Sequence, residues 1–224
     1  MSINNFPQIA IDGPAGAGKS TVAREVARRL NIKYLDTGAM YRAITLKVIR
    51  NNIDIEDKQT LEEMLKNTEI ELDEEKRVFL DGEDVTEAIR QPDVNAMVSP
   101  VSCISLVRRR LVGIQQKIAS ESGGIIMEGR DIASKVIPDA HFKFYLDASL
   151  EERSRRRLKE QLEKGMQLVE DKVTADIANR DKIDSSRDDS PLTVVDDAIV
   201  VDTTNMTFEE VVDKIVKEVS VGLR

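Results

Sequence analysis

Short apolar runs alternate with segments of helical periodicity in the first part of the chain, which predicts a βαβα order. Residues 9–11 form an apolar run expected to be the first strand, and residues 19–30 place apolar side chains three and four positions apart, as on one face of a helix. Residues 33–35 then predict a second strand and residues 40–48 a second helix, with residues 36–38 as the loop between them. This order is typical of a parallel sheet covered by helices.

The pattern changes over residues 54–100, where charged turns separate short alternating segments. A short helix is expected first, followed by strands at 69–72 and 78–80, a hairpin turn at 81–82 and a third strand beginning at Val85. These signals predict a small antiparallel insertion in the α/β core. It would cover or select a ligand at the edge of the core, or else be inert decoration.

The second half of the chain returns to the first pattern. One long helix is predicted by apolar residues at helical spacing, namely Ile104, Val107, Leu111, Ile114 and Ile118. Strands are expected at 125–127, 142–146 and 198–201, and capping boxes at 149–152 and 207–210 mark the starts of two more helices. The predicted fold class is therefore α/β, with a five-stranded parallel sheet and helices on both faces.

Composition limits the cell compartment, the ligands and the catalytic groups that can be expected. The 224 residues include one cysteine, Cys103, which is expected to be a small buried hydrophobe, so an intrachain disulfide is excluded. Residues 1–7 lack the features of a signal peptide, and no apolar run reaches the length of a membrane span, so a cytoplasmic protein is expected. The net charge of −8 argues against binding to long nucleic acid. The single histidine, His141, reads as a strand-end residue, which argues against zinc sites and a histidine general base.

Positions 13–20 read Gly-Pro-Ala-Gly-Ala-Gly-Lys-Ser and fit the phosphate-binding pattern G-x-x-x-x-G-K-[ST] in its required place between a strand and a helix. Backbone N–H groups of such a loop cradle phosphates, and the helix N-terminus favours negative charge. Lys19 is expected to reach the terminal phosphates and Ser20 to offer its hydroxyl to Mg²⁺. The chain is thus expected to bind a nucleoside triphosphate, although the loop alone leaves the reaction open.

Ligands of open α/β sheets bind at the carboxyl ends of the strands, which directs attention to residues 36–38, 128–131 and 147–149. Arg130 at one of these strand ends can hold a phosphate, and Asp131 beside it can read a base or sugar; the alternative is a local ion pair. Arg42 lies one turn into the following helix, where a solvated helix face is the other reading.

A run of arginines follows Ser149 and precedes a second charged segment, residues 180–187. Arg153 and Arg157 are four residues apart and share a helix face. They suggest a mobile lid that neutralises transferring phosphates, with Gly165 as a hinge or turn; a solvated face is the alternative. Guanine-reading and transport-ATPase motifs are missing, which favours small-molecule kinases over a nucleotide-dependent switch. A kinase for another small acceptor also remains open.

The residues resemble the bacterial cytidylate kinase family of P-loop nucleoside monophosphate kinases. The resemblance rests on residues 11–14, 35–42, 128–131, 147–153 and 180–187 in order, and it covers nearly the whole chain. It implies transfer of the γ-phosphoryl group of ATP to CMP or dCMP, with Mg²⁺. It also implies that residues 54–100 are the monophosphate-binding insertion, that 1–53 and 101–224 are the kinase core, that the lid is about 153–187, and that the chain is a monomer.

The resemblance assigns roles residue by residue. Donor contacts fall on Gly13, Pro14, Ala15, Gly16, Ala17, Gly18, Lys19, Ser20 and Thr21. Catalytic roles fall on Lys19, Arg130, Arg153 and Arg157. Arg42 and Arg130 would hold the CMP phosphate with Tyr41 nearby, Ser99, Arg108 and Asp131 would read the cytosine edge, and Thr37, Arg180, Asp184 and Arg187 would surround the ribose and phosphate. From the residues alone, Ser99 and Pro100 instead predict a helix start and Arg108 a surface position.

Overall fold

The computed structural model describes residues 6–73, 75, 77–163 and 170–223. The elements in chain order are β1 (Gln8–Asp12), α1 (Lys19–Leu30), β2 (Lys33–Asp36), α2 (Thr37–Arg50), α3 (Lys58–Lys66), β3 (Ile70–Leu72), β4 (Val78–Leu80), β5 (Glu83–Asp84), α4 (Pro92–Ser102), α5 (Ser105–Glu121), β6 (Ile125–Gly129), β7 (Phe142–Asp147), α6 (Leu150–Glu163), α7 (Glu170–Ser186), β8 (Ile199–Asp202) and α8 (Phe208–Gly222). A 3₁₀ turn lies at Ala88–Arg90 and a π-helical turn at Ile132–Val136.

The main sheet has five strands in the order β2-β6-β1-β7-β8. The pairs of β1 with β6, β1 with β7, and β7 with β8 are parallel, so the predicted α/β fold class is confirmed. Asp12, the last residue of β1, pairs with Gly129 on one side and Tyr145 on the other. The carboxyl ends of β1 and β6 are therefore level, β7 extends two residues further, and the loops that follow these strands leave the same edge of the sheet.

Contacts divide the chain into two compact units, residues 1–34 with 119–224, and residues 35–118. In the first unit, α1 packs against α8 over the sheet. Their apolar faces and the central strands form one buried cluster, which includes Ile9, Ile11, Val22, Val26, Phe144, Leu146, Val212, Ile215 and Val219. Helix α8 begins with the predicted capping box between Thr207 and Glu210.

The unit of residues 35–118 contains the small antiparallel sheet, in the order β3-β4-β5. Ile70 pairs with Leu80 and Leu72 with Val78. Across residues 81–82, Leu80 pairs with Glu83, so the predicted hairpin turn is present. Helix α2 packs against α4 in this unit, with Ile44 and Val98 buried. In the part of the chain that the structure describes, no helix is both long and apolar enough to cross a lipid bilayer.

Three local predictions were wrong. Residues 37 and 38 belong to α2, because the Asp36 carboxylate caps that helix by accepting a hydrogen bond from Ala39 N–H (3.0 Å). The third strand of the small sheet, β5, ends before Val85. Ser99 and Pro100 lie inside α4, which already begins at Pro92, where proline is favoured in the first helical turn.

Two single residues occupy structural positions. Cys103 follows α4 and is half-buried, rather than fully buried as predicted. His141 directly precedes β7, and its Nδ1 accepts a hydrogen bond from Gln8 N–H (3.2 Å). This contact agrees with its interpretation as a strand-end residue.

Candidate active site

The phosphate-binding loop connects β1 to α1 through backbone that only glycine tolerates at its first position. Gly13 has φ of 149°, and a Cβ added there would lie 2.0 Å from the backbone oxygen of Leu146 in β7. The loop can pass so close to β7 only without a side chain at this point. Gly18 caps α1 in the left-handed conformation without a side-chain cap, so the first N–H groups of α1 are available to an anion.

Lys19 opens α1 and is buried, with Nζ donating a hydrogen bond to the backbone oxygen of Pro14 (2.8 Å). Burial lowers the pKa of Lys19 to about 7, and the positive charges of Arg130 and Arg180 act in the same direction. The carboxylates of Glu128 and Asp12 oppose this shift. Lys19 therefore lies in a buried site near other positive charges. A phosphate bound there would favour the charged form of its side chain.

Ser20 Oγ donates a hydrogen bond to Glu128 Oε1 (2.6 Å), and the Tyr34 hydroxyl lies 3.4 Å from the same oxygen. Glu128 is buried at the end of β6, the neighbour of β1. The sequence placed Glu128 in a strand-end segment but gave it no role. An acidic residue that closes a fully apolar strand was the signal available.

A serine hydroxyl beside a buried carboxylate fits Mg²⁺, which prefers oxygen ligands. Among the described residues, no group of three or more His, Cys, Asp or Glu side chains is arranged to hold a metal ion. Mg²⁺ does not need such a cage, since it is usually bound by one or two protein groups together with substrate phosphates and water. Ser20 and Glu128 are therefore the residues present that suit this ion.

Asp12 is a buried carboxylate that sequence patterns did not single out. Its two oxygens accept hydrogen bonds from Ile132 N–H (2.9 Å) and Ala133 N–H (2.8 Å), at the start of the π-helical turn. Burial raises the pKa of Asp12 to about 6, although these two hydrogen bonds act against the shift. The end of β1 is thereby fastened to the segment that follows Asp131.

Arg130 follows β6 and pairs with a carboxylate from α7. Its Nε donates to Asp184 Oδ2 (2.7 Å), and Nη1 of Arg187 lies 3.6 Å from Asp184 Oδ1. Burial alone would raise the pKa of Asp184, but the charges of Arg130, Arg180 and Arg187 hold it below the usual value of 3.8. The charges of three predicted acceptor-side arginines thus converge on one buried carboxylate.

Arg153, at the start of α6, is buried against the phosphate-binding loop. Its Nε donates to the backbone oxygen of Ala148 (2.9 Å), its Nη1 donates to that of Ala15 (2.9 Å), and Nη1 also pairs with Asp181 of α7. Arg157, predicted to share its helix face, pairs with Glu160 near the surface (2.9 Å). The two arginines therefore have different surroundings.

Arg155 and Arg156, the other two arginines of the run, share one carboxylate of their own helix. Glu152 accepts from both Arg155 and Arg156, each at 2.8 Å. Protein carboxylates therefore supply part of the counter-charge of the arginine run. The hinge assigned to Gly165 lies outside the described residues.

Five of the predicted acceptor residues lie in the unit of residues 35–118, namely Thr37, Tyr41, Arg42, Ser99 and Arg108. Arg108 is 2% exposed, so the surface position expected from the residues alone was wrong. Its guanidinium lies 5.4 Å from the centre of the Tyr41 ring, and its Nη1 donates to the backbone oxygen of Ser102 (3.0 Å). Thr37 is buried in the first turn of α2, and Ser99 is half-buried in α4. Arg108 and Tyr41, assigned separately from sequence, are thus brought together.

Arg42 is half-buried in α2, with Nη1 close to Gly38, and Thr21 is exposed in the first turn of α1. Asp131 is buried and precedes the π-helical turn. Arg180 is half-buried in α7.

The site combines a phosphate-binding loop, a buried lysine and arginines at the neighbouring strand ends. This arrangement is typical of enzymes that transfer phosphoryl groups. The fold and the site thus define a P-loop kinase. The chain belongs to the cytidylate kinase family, since the family model described as cytidylate kinase matches residues 9–221. The family resemblance found in the sequence, and the prediction of an enzyme of this class, are confirmed.

Curated relatives agree with this assignment. The chain is 54% identical to the cytidylate kinase of Caldanaerobacter subterraneus subsp. tengcongensis, covering 95% of this chain and 94% of the relative. It is 50% identical to the cytidylate kinase of Alkaliphilus oremlandii, covering 94% and 96%. A crystal structure of an uncharacterized protein from Eubacterium ventriosum shares the fold, with a TM-score of 0.52, 16% identity, and coverage of 97% and 99%.

Proposed function

We propose that the enzyme transfers the γ-phosphoryl group of ATP to CMP and to dCMP, giving ADP and CDP or dCDP. The observation that carries the proposal is the pairing of Asp12 with Gly129, which places the donor loop that follows β1 beside Arg130, which follows β6. The charge of Arg130 also contributes to lowering the pKa of Lys19, as expected for two cations near each other. Two cations held together in this way suit two phosphates that must approach each other.

The donor half of the site is the loop. Its N–H groups and Lys19 would hold the β- and γ-phosphates of ATP, and Arg153 is anchored beside them by its bond to the Ala15 backbone. Ser20 and Glu128 would hold Mg²⁺, which when bound offsets negative charge on the phosphate oxygens.

The acceptor half follows the family resemblance. Arg42 and Arg130 would hold the CMP phosphate with Tyr41 nearby, while Arg180, Asp184, Arg187 and Thr37 surround ribose and phosphate. Ser99, Arg108 and Asp131 would read the cytosine edge. The burial of Arg108 supports this role, because a planar guanidinium with fixed donors suits recognition of a base edge.

Catalysis would depend on position and charge. The CMP phosphate is already anionic, so its attacking oxygen needs no protein base. Lys19 and Arg130 would offset the repulsion between the two nucleotides and stabilise charge on the transferring group.

We further propose that residues 54–100 form the monophosphate-binding insertion and residues 153–187 a lid, and that both close to exclude water, the competing acceptor. A monomeric enzyme in the cytoplasm, acting in pyrimidine nucleotide metabolism, is part of the same proposal.

The acceptor preference is tested by coupled ADP release with CMP, dCMP, UMP, AMP, GMP and shikimate at equal concentration. CMP and dCMP are expected to give the highest kcat/KM, and nucleotide without acceptor only slow hydrolysis. Preference for another acceptor would contradict the proposal in favour of a different small-molecule kinase. Tight nucleotide retention without acceptor-dependent turnover would instead favour a nucleotide-dependent switch.

Donor binding is expected to take up a proton. With a pKa of about 7, Lys19 is mostly neutral at pH 8 in the free enzyme, and bound phosphates would return its pKa toward the ordinary value of 10.5. Calorimetry of ADP binding at pH 8, in buffers of different ionisation enthalpy, should therefore show uptake of close to one proton. Uptake should fall as pH drops below 7, where the lysine is already charged. Uptake that is unchanged when Lys19 is replaced by methionine would contradict this assignment.

A further inference from the structure

The Ala15 peptide, at the tip of the phosphate-binding loop, is held on both sides by one ion pair. Its N–H donates to Asp181 Oδ1 (3.0 Å), and its carbonyl oxygen accepts from Arg153 Nη1 (2.9 Å). Asp181 Oδ2 pairs with the same Nη1. A carboxylate of α7, a guanidinium of α6 and one loop peptide thus form a closed set of hydrogen bonds.

Apolar packing brings α7 to this place. The Ala15 side chain packs in a small cluster with Val173 and Ile177 of α7. Asp181 is four residues beyond Ile177 and so lies on the same helix face, one turn further on. The apolar contacts of α7 therefore place the Asp181 carboxylate beside the backbone of the loop.

The first turn of α6 is equally close to the loop. A Cβ on Gly16 would lie 3.1 Å from Arg153 Cβ, which leaves little space between the loop and this helix. Nε of Arg153 donates to Ala148, and Nη1 donates to both Ala15 and Asp181. Within the described part of the chain, Nη2 makes no hydrogen bond, so it is the group left to donate to an incoming oxygen.

We propose that Asp181 is a positioning residue of the phosphoryl transfer. It fixes the loop tip through Ala15 and orients Arg153, so that Nη2 is presented to the donor phosphates. It also engages the N–H of Ala15, which leaves phosphate binding to the N–H groups that follow in the loop. This inference rests on the proposed kinase function but adds a residue to which the family resemblance gave no role.

The test is Asp181→Asn, which keeps an oxygen acceptor for Ala15 N–H but removes the charge that holds Arg153. A small displacement of a catalytic group can lower the rate about a hundredfold. We expect kcat to fall between about 10-fold and 100-fold, KM for CMP to stay within about two-fold, and ADP binding to weaken by at least about three-fold. If Asp181→Asn does not fold, Asp181→Ser removes the same charge, and the same expectations apply.

Asp176→Asn is the matched control, because Asp176 is an exposed carboxylate on the same helix. It should leave kcat and ADP binding unchanged. Arg153→Lys supplies the second comparison: if Asp181 acts through Arg153, adding Asp181→Asn to Arg153→Lys should lower kcat by less than about two-fold further.

Three results would overturn the inference: an unchanged kcat in Asp181→Asn, an equal loss in Asp176→Asn, or losses that multiply in the double variant. An inactive native enzyme would contradict the proposed function instead. ADP binding would then still decide the role of Asp181, since it requires no turnover. Equal ADP affinity of the native chain and Asp181→Asn would exclude that role.

Discussion

Replacing Lys19 by methionine is expected to lower kcat at least about a thousandfold while the enzyme stays folded. The reason is that Nζ is the only lysine charge placed in the loop, where burial makes its interaction with phosphate strong. Methionine has a similar length and keeps the packing, but it cannot offset charge on the transferring phosphoryl group. Both kcat and kcat/KM for ATP should fall, as measured by the coupled ADP assay.

The stability of Lys19→Met separates this role from a structural one. The lowered pKa of Lys19 means that its charged form is unfavourable in the folded chain, so removing the ammonium should leave the melting temperature unchanged or higher at pH 7. In the native chain, the unfolding free energy contributed by Lys19 should rise with pH above 7, because the unfolded state then holds a proton that the folded state has lost. This contribution should be absent from the variant.

The control for this comparison is Lys33→Met, which removes an exposed lysine from β2. It should keep native kcat. A Lys19→Met enzyme that retains more than about a tenth of native turnover would contradict the assigned role. A large loss of melting temperature would show that the lysine has a mainly structural function.

Local sequence patterns were sufficient to predict the helix and the strands that carry the site. Helix α1 begins and ends where its periodicity predicts, at Lys19 and Leu30, and the five core strands follow from short apolar runs. Because parallel strands end at one edge of a sheet, the loop and the segment after β6 could be placed together from sequence alone.

The contacts that complete the site join residues far apart in the chain, and no local pattern encodes them. Ser20 and Glu128 are 108 residues apart, Asp12 and Ala133 are 121 apart, and Ala15 and Asp181 are 166 apart. Each pair combines a carboxylate with a donor that tertiary packing brings near. Periodicity can indicate that a carboxylate lies at a strand end, but not which donor it meets.

The burial of Arg108 was missed for a related reason. A charged residue on a helix is ordinarily exposed, whereas the guanidinium of Arg108 contacts the Tyr41 ring and the backbone of Ser102 at the end of α4. Helix α4 was itself missed because Pro100 suggested a helix start, whereas the helix begins eight residues earlier at Pro92. Side-chain type at a single position was a weaker guide here than the surrounding helices.

Replacing Arg130 by alanine is the second large effect. The change removes the guanidinium expected to hold the CMP phosphate, so kcat/KM for CMP should fall by about 100-fold to 1000-fold, while ADP affinity changes little. Steady-state kinetics with CMP varied at saturating ATP measures the first quantity, and calorimetry the second. Arg155→Ala, which removes an exposed arginine from α6, should leave both unchanged.

Arg130→Ala should also lower the melting temperature by several degrees at pH 7, because buried Asp184 loses its shortest ionic contact. Arg130 holds the pKa of Asp184 below 3.8, so this stabilisation is present above about pH 4 and is lost as pH falls through the pKa of the folded state. The difference in melting temperature between native and variant enzymes should therefore shrink in acid.

Arg130→Lys should recover most of the stability but little of the CMP-dependent turnover, because an ammonium cannot replace the planar fork of a guanidinium. Recovery of both by lysine would show that Arg130 supplies only charge, and recovery of neither activity nor stability would contradict the ionic role with Asp184.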